Sequence, residues 1–278
     1  MARGTTLGSR STRSTLTGLA GGAFSGLSGV GGGAVMVPLL TGQLGLNQHR
    51  AHGTSLAIIM FIAVAGTFAY WQAGNVDWQL VFALAPGAVL GVIAGAKAMV
   101  RVPALQLRLA FGVFLFFVAF RQLVWEVSAG APGSGLEGLL IEVVFGFAGG
   151  VLAGVLGVGG GAIFVPAIVI VGLAHVDGGE DPQKVAQGVS LVVIVAAGAI
   201  GTLTNLRQDT IDKNAVTWVV PAAVLAAIGA SFVANRLDTE VLKRVYGLIA
   251  LFLGCQIVYA TLRALRRHDR AELEVERV

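Results

Sequence analysis

Charge is what this sequence has least of. Only 12% of its 278 residues are Asp, Glu, Lys or Arg, while 55% are hydrophobic and the mean hydropathy is +0.81. Soluble domains carry about 25% charged residues, so this composition points to a membrane protein. Cysteine occurs once, at Cys255, which excludes an intrachain disulfide. The four histidines, His49, His52, His175 and His268, all fall in polar connections or the tail. No carboxylate sits deep in an apolar run; Glu126 and Glu142 lie near segment ends. These absences argue against a His- or Cys-built metal centre and leave no evident proton carrier. No metal and no cofactor are expected. The net charge of +4 comes mainly from Arg at the ends of apolar runs, a pattern of membrane topology and lipid headgroups, not of nucleic acid.

What is abundant is apolar sequence in lengths that cross a bilayer. Residues 53–71, 79–99, 105–125, 188–206, 215–233 and 245–262 are six such runs, each long enough to cross roughly 30 Å of hydrocarbon as a helix. Two longer apolar segments, 16–44 and 141–173, are broken internally by glycine. The fold class predicted is an all-α polytopic membrane protein. Its parts are a basic N-terminal segment (1–13), a first transmembrane repeat (14–126), a Gly/Pro-containing linker (127–140), a second repeat (141–263) and a charged tail (264–278).

The two repeats are explicit. Residues 18–38 match 146–166 at an offset of 128, with 13 identities in 21 positions. After an insertion in the acidic loop 177–181 the offset becomes 135. Ser55 then matches Ser190, Asp77 matches Asp212, Pro86 matches Pro221, Arg101 matches Arg236 and Gly112 matches Gly247. The best-preserved stretch is Gly29-Val30-Gly31-Gly32-Gly33-Ala34, repeated as Gly157-Val158-Gly159-Gly160-Gly161-Ala162. A helix loses roughly 1 kcal/mol per Gly relative to Ala, so adjacent glycines here mark a break in each apolar segment.

Charge discriminates between two topologies. If each broken segment is a re-entrant hairpin of two short arms, each half has three full spans and the halves are inverted repeats. With the N-terminus inside, 14 Lys and Arg residues then lie on the inner side and 5 on the outer. If each broken segment is one full span, the split is 11 and 8. The positive-inside bias favours the hairpin. Its 29 residues give two arms of roughly 12 residues, about 18 Å each.

Unpaired backbone in mid-membrane is tolerated only where protein or a water-lined cavity satisfies it. The arm after each glycine run presents a helix N-terminus there, with free N–H donors and roughly half a positive charge. Two such ends would bind a small anion without a buried Lys or Arg. The expected substrate-binding set is Ser28, Gly29, Gly31, Gly32, Gly33, Ala34 and Ser55 from the first half. Gly157, Gly159, Gly160, Gly161, Ala162 and Ser190 are the counterparts from the second. Ser25, Thr54, Thr67, Thr202 and Asn205 are further polar neighbours.

The paired glycine motifs, Gly29 to Pro38 and Gly157 to Pro166, resemble those of the TauE/SafE sulfite exporter family of membrane permeases. The following Gly53-Thr54-Ser55 and Gly188-Val189-Ser190 agree, and the resemblance covers about residues 14–263. It implies a multi-pass transporter of the cytoplasmic membrane, moving small anions such as sulfite or organosulfonates like sulfoacetate; the duplication with paired mid-membrane breaks favours alternating access. The expected partners are that anion and membrane lipids, with homo-oligomerisation left open.

Other chemistries fit less well. Gly29 to Ala34 also satisfies a dinucleotide-binding fingerprint, but no βαβ context or acid near residues 50–54 supports it. Gly26-Leu27-Ser28-Gly29 resembles the nucleophile motif of intramembrane hydrolases, which would make Ser28 catalytic; the second repeat has Leu156 at that position. An anion channel is a further alternative. Asp77 and Asp212 read most simply as helix caps, and His49 and His52 as interfacial residues.

Overall fold

The computed structural model describes residues 4–98, 104–124, 136–156, 159–171 and 181–275. The N-terminal three residues, the linker core, Gly157, Arg101 and the acidic run 177–180 lie outside the described residues. Among those described, all regular structure is helical: α1 (Gly4–Ser28), α2 (Gly33–Gly42), α3 (Gln48–Gln72), α4 (Trp78–Ala98), α5 (Ala104–Val124), α6 (Leu136–Leu156), α7 (Gly161–Val171), α8 (Pro182–Arg207), α9 (Lys213–Arg236) and α10 (Thr239–Val275). Six of them, α3, α4, α6, α8, α9 and α10, are long and apolar enough to cross a membrane. The sequence reading counted α5 in this set and treated α6 as a short arm. At 21 residues each, both helices would be about 31 Å long.

The surface is turned inside out relative to a soluble domain. Phe82, Leu225 and Phe252 are 73%, 71% and 61% exposed, whereas Thr54, Ser55, Gln187, Ser190 and Ser231 are fully buried. Apolar side chains face outward along the spans, and polar ones collect between helices, where they can be satisfied.

The glycine breaks do fold each segment back on itself. Gly21 of α1 packs on Met36 of α2, and the Thr17 hydroxyl donates to Gln43 Oε1 at 3.1 Å just beyond the end of α2. α2 therefore runs antiparallel to α1. In the second half Gly149 of α6 packs on Phe164 of α7, the same contact shifted by 128 residues. The arms are unequal, however: 25 and 10 residues in the first half, 21 and 11 in the second. The equal arms of roughly 12 residues expected from the sequence are corrected here. α1 starts near the chain's beginning, without a break between the basic segment and the apolar run.

Stripes of small residues decide which helices touch. Gly18, Gly22 and Gly26 of α1 lie against the backbone of Val219, Ala223 and Ala227 of α9. Gly146 and Gly150 of α6 lie against Leu84 and Ala88 of α4, the repeat-equivalent positions. Spacing of four residues keeps such glycines on one helix face and lets the backbones approach closely. In both pairs the residue numbers rise together, so the helices are parallel. Each half thus lends its first helix to the other half. α3 and α8 pack antiparallel instead: Gly53 at the start of α3 meets Asn205 and Thr210 at the end of α8, and Gly188 near the start of α8 meets Asn75 beyond the end of α3. α5 and α10 are antiparallel too, with Gly112 on Val258 and Gly254 on Leu115.

The connections carry the expected caps. Asp212 accepts from the Ala215 N–H at 2.9 Å at the start of α9, and Asp77 accepts from the Leu80 N–H at 3.0 Å at the start of α4.

Candidate functional site

The first break is a local consequence of Ser28 and the glycines after it. The Ser28 hydroxyl donates to the Phe24 carbonyl at 2.7 Å and accepts from the Val30 N–H at 3.3 Å, which ties off the last turn of α1. The chain then passes through left-handed conformations at Gly29, Gly31 and Gly32, with φ of +67°, +83° and +72°. A side chain there would cost roughly 1–2 kcal/mol per residue. The Gly32 carbonyl accepts from the Val35 and Met36 N–H groups and starts α2, which has no side-chain cap at its N-terminus. The second break repeats this geometry. Gly159 and Gly160 have φ of +84° and +75°, and the Gly160 carbonyl accepts from the Ile163 and Phe164 N–H groups at 2.9 and 3.0 Å.

The two breaks are in direct contact. A Cβ placed on Gly161 would lie 2.6 Å from the Val30 Cα, carbonyl carbon and carbonyl oxygen. One placed on Gly31 would lie 3.0 Å from Ile194 Cδ1 and 3.1 Å from Ile59 Cγ2; one on Gly159 would lie 3.2 Å from Ile59 Cγ2. Ile59 and Ile194 are themselves repeat-equivalent, at an offset of 135. The junction is closed: Val30, Ile59 and Ile194 are at most 1% exposed.

Around this junction the carbonyls freed by the end of α1 are taken up by the other half. The Ser190 hydroxyl donates to the Gly29 carbonyl at 2.9 Å, and Gln187 Nε2 donates to the Leu27 carbonyl at 3.3 Å. Ser231 reaches the Gly26 carbonyl at 3.4 Å, and Tyr70 donates to Gln187 Oε1 at 2.6 Å. A helix C-terminus leaves several carbonyls without partners, and these side chains meet that need inside the bundle. Gln187 and Tyr70 were not singled out from the sequence. Gln187 falls one residue before the apolar run 188–206 and reads there as part of a polar connection, although α8 already begins at Pro182.

The remaining expected residues divide by whether their polar atoms are engaged. Thr54 accepts from the Asp212 N–H at 2.9 Å, while Asn205 donates to the Gly201 carbonyl and accepts from the Thr210 hydroxyl, both at 2.8 Å. The hydroxyls of Ser25 and Ser55 have no hydrogen-bond partner, and both residues are 0% exposed. Thr67 and Thr202, another repeat-equivalent pair, also carry unpartnered hydroxyls. Gly33 and Ala34 form the first turn of α2, and Gly161 and Ala162 that of α7. Gly157 lies outside the described residues. Ser28 is committed to the backbone of its own helix, and among the described residues no base is hydrogen-bonded to its hydroxyl, as a nucleophile requires. No group of three or more potential metal ligands occurs among the described residues.

Polar groups enclosed by helices, apolar side chains turned outward and two helix breaks that meet inside the bundle define a multi-pass membrane protein. The chain belongs to the sulfite exporter TauE/SafE family, whose sequence pattern matches residues 3–133 and 141–277, one stretch for each half. It is 24% identical over 268 residues to the probable membrane transporter protein YunE of Bacillus subtilis, covering 87% of this chain and 95% of that one. A probable membrane transporter protein of Xylella fastidiosa is 28% identical over 249 residues, covering 86% and 92%. YdhB of Bacillus subtilis, of the same description, is 25% identical over 246 residues, covering 86% and 96%. No solved structure matches the chain. The family is one of transporters, so Ser28 is not the nucleophile of a hydrolase.

Proposed function

We propose that this protein is a secondary transporter, an exporter of small sulfur-containing anions such as sulfite or an organosulfonate like sulfoacetate. The substrate site lies where the two glycine breaks meet, and the two halves form inverted repeats that work by alternating access. The observation that carries this reading is the contact of Val30 with Gly161, flanked by the matched pair Ile59 and Ile194. Two helix N-termini arrive at one junction there, and such ends favour anions. The antiparallel pairing of the equivalent helices α3 and α8 supports the inversion, and inverted repeats with binding at broken helices are the usual basis of alternating access. Because the junction is filled by Ile59 and Ile194, admitting an anion requires the halves to part.

In this reading Gly31 to Ala34 and Gly157, Gly159, Gly160, Gly161 and Ala162 provide backbone donors, while Gly29, whose own N–H is taken by the Ser25 carbonyl, shapes the first break. Ser55 and Ser25 supply free hydroxyls, and Ser28 and Ser190 hold the first break in shape. The N-terminus and the charged tail face the cytoplasm, and the membrane is the plasma membrane. Reconstitution in liposomes with sulfite, sulfate, thiosulfate, sulfoacetate, phosphate, chloride and acetate tests the function. Saturable flux of a sulfur oxyanion that is lost in Gly32→Val and Gly160→Val supports it. Unimpaired flux in both variants refutes the site, and non-saturable flux indicates a channel. The orientation is tested by replacing Cys255 with Ser, placing a cysteine at Asp181 and labelling intact cells with an impermeant thiol reagent. Labelling from outside supports the N-terminus-in orientation; labelling only after membrane disruption refutes it.

A further inference from the structure

One side-chain pattern leads to the junction twice. On α8 it is Gln183, Gln187, Ser190 and Ile194; on α3, at an offset of 135, it is Gln48, His52, Ser55 and Ile59. Spacings of four, three and four residues keep each set on one helix face. Both sets end on the isoleucines that fill the junction, Ile194 against Gly31 and Ile59 against Gly31 and Gly159. Because α3 and α8 are antiparallel, the two sets approach the junction from opposite ends of the bundle.

The two approaches are in different states. On α8, Gln187 and Ser190 donate to the Leu27 and Gly29 carbonyls at the end of α1, and Tyr70 of α3 donates to Gln187. That end is locked to the opposite half. On α3, the Ser55 hydroxyl matches Ser190 in position but is fully buried with no partner. Asn205 matches Tyr70, yet it donates to the Gly201 carbonyl of its own helix and accepts from the Thr210 hydroxyl in the turn that follows. At this end the halves are joined by the Asp212 N–H, which donates to Thr54. The residue matching Leu27 is Val155, one place before the end of α6, where a carbonyl has no partner within its own helix.

We infer that Gln187 and Ser190 form one gate of the transport path and His52 and Ser55 the other, each locking on the carbonyls where the first arm of the opposite half ends. The structure holds the first gate locked and the second unlocked. In the alternate state the bonds exchange. Gln187 and Ser190 release α1, the His52 imidazole N–H takes the Val155 carbonyl, and Ser55 takes the next free carbonyl at the end of α6. The Ser55 hydroxyl is therefore available to an anion only while its own gate is unlocked. This rests on reading the halves as inverted repeats that work by alternating access, and it names the residues that alternate.

The test uses the full-length protein carrying Cys255→Ser, in membrane vesicles of both orientations, and needs no substrate. Ser55→Cys should react with an impermeant thiol reagent from the side opposite to that which labels Asp181→Cys. Adding Gln187→Ala unlocks the first gate and should slow that reaction about 3- to 10-fold, the population shift expected from losing one hydrogen bond. His52→Cys combined with Val155→Cys should be bridged by a short bifunctional thiol reagent, read by mass spectrometry of the digested protein. Gln187→Ala should speed the bridge by a similar factor. Reaction of Ser55→Cys from the Asp181 side or from neither side, or a rate that Gln187→Ala leaves unchanged or raises, would overturn the inference. So would absence of the bridge under conditions that bridge Leu27→Cys with Gln187→Cys. Loss of saturable flux for every anion in liposomes would instead overturn the transport reading, a result on which labelling and bridging do not depend.

Discussion

The Tyr70 hydroxyl donates to Gln187 Oε1 at 2.6 Å, a bond between residues 117 positions apart that joins the two halves beside the first glycine break. Both side chains are fully buried. Gln187 passes the connection on to the Leu27 carbonyl through Nε2, so the pair links α3, α8 and the end of α1.

Tyr70→Phe leaves Gln187 Oε1 buried without a donor. A buried polar group stripped of its partner costs about 1–3 kcal/mol. The apparent Tm in detergent should fall, and Gln187→Ala, which strands the Leu27 carbonyl, should lower it comparably. In the double variant the losses should be less than additive, by about 1 kcal/mol. Full additivity would mean that the bond contributes nothing.

Ser190 and Ser55 occupy matching positions but should answer to different assays. Ser190→Ala removes the donor to the buried Gly29 carbonyl and should destabilise the fold by about 1–3 kcal/mol. The Ser55 hydroxyl has no partner to lose. Ser55→Ala should leave the unfolding free energy within about 0.5 kcal/mol of its original value and raise the KM for the transported anion. Thermal unfolding and liposome flux on the same preparations separate the two.

Gly161→Ala should abolish accumulation of folded protein, because its Cβ would enter the Val30 backbone. Gly42→Ala, at the end of α2 with nothing within 4 Å of the added atom, is the matched control and should accumulate normally. Fluorescence-detected size-exclusion chromatography of detergent extracts reads both outcomes.

Asp77→Ala and Asp212→Ala each remove a helix N-cap and should each cost about 1 kcal/mol. The caps open different helices at equivalent turns, so the double variant should be additive within about 0.5 kcal/mol. Thermal unfolding in detergent checks this. A negligible effect of either substitution would show that solvent replaces the cap.

The repeat and the position of both breaks were legible in the sequence because adjacent glycines interrupt a helix wherever they fall, and here they fall at matching offsets within apolar runs. Capping by Asp77 and Asp212 was legible for a similar reason, since a capping carboxylate needs only its own next turn. The lengths of the arms were not, because helix α1 continues through the polar residues 4–13 that composition sets apart. Nor was the division of labour among the serines. Ser190 and Ser55 look alike in sequence, and only the surrounding carbonyls decide which hydroxyl is consumed. Gln187 was hidden by polarity: beside an apolar run it resembles a loop residue, although it lies within α8 and faces a helix end from the other half.

The pairing of α1 with α9 has a consequence for the order of events at the ribosome. Gly22 is made about 200 residues before Ala223, against which it packs. At roughly 5–20 residues per second, α1 waits about 10–40 s for its partner. The glycine face of α1 stays without its own surface throughout that interval, so the membrane insertion machinery or another nascent helix has to shelter it. A chain released after the first half would carry an unmatched α1 and an unmatched α4. Supplied with the second half as a separate polypeptide, it would have both missing surfaces restored at once.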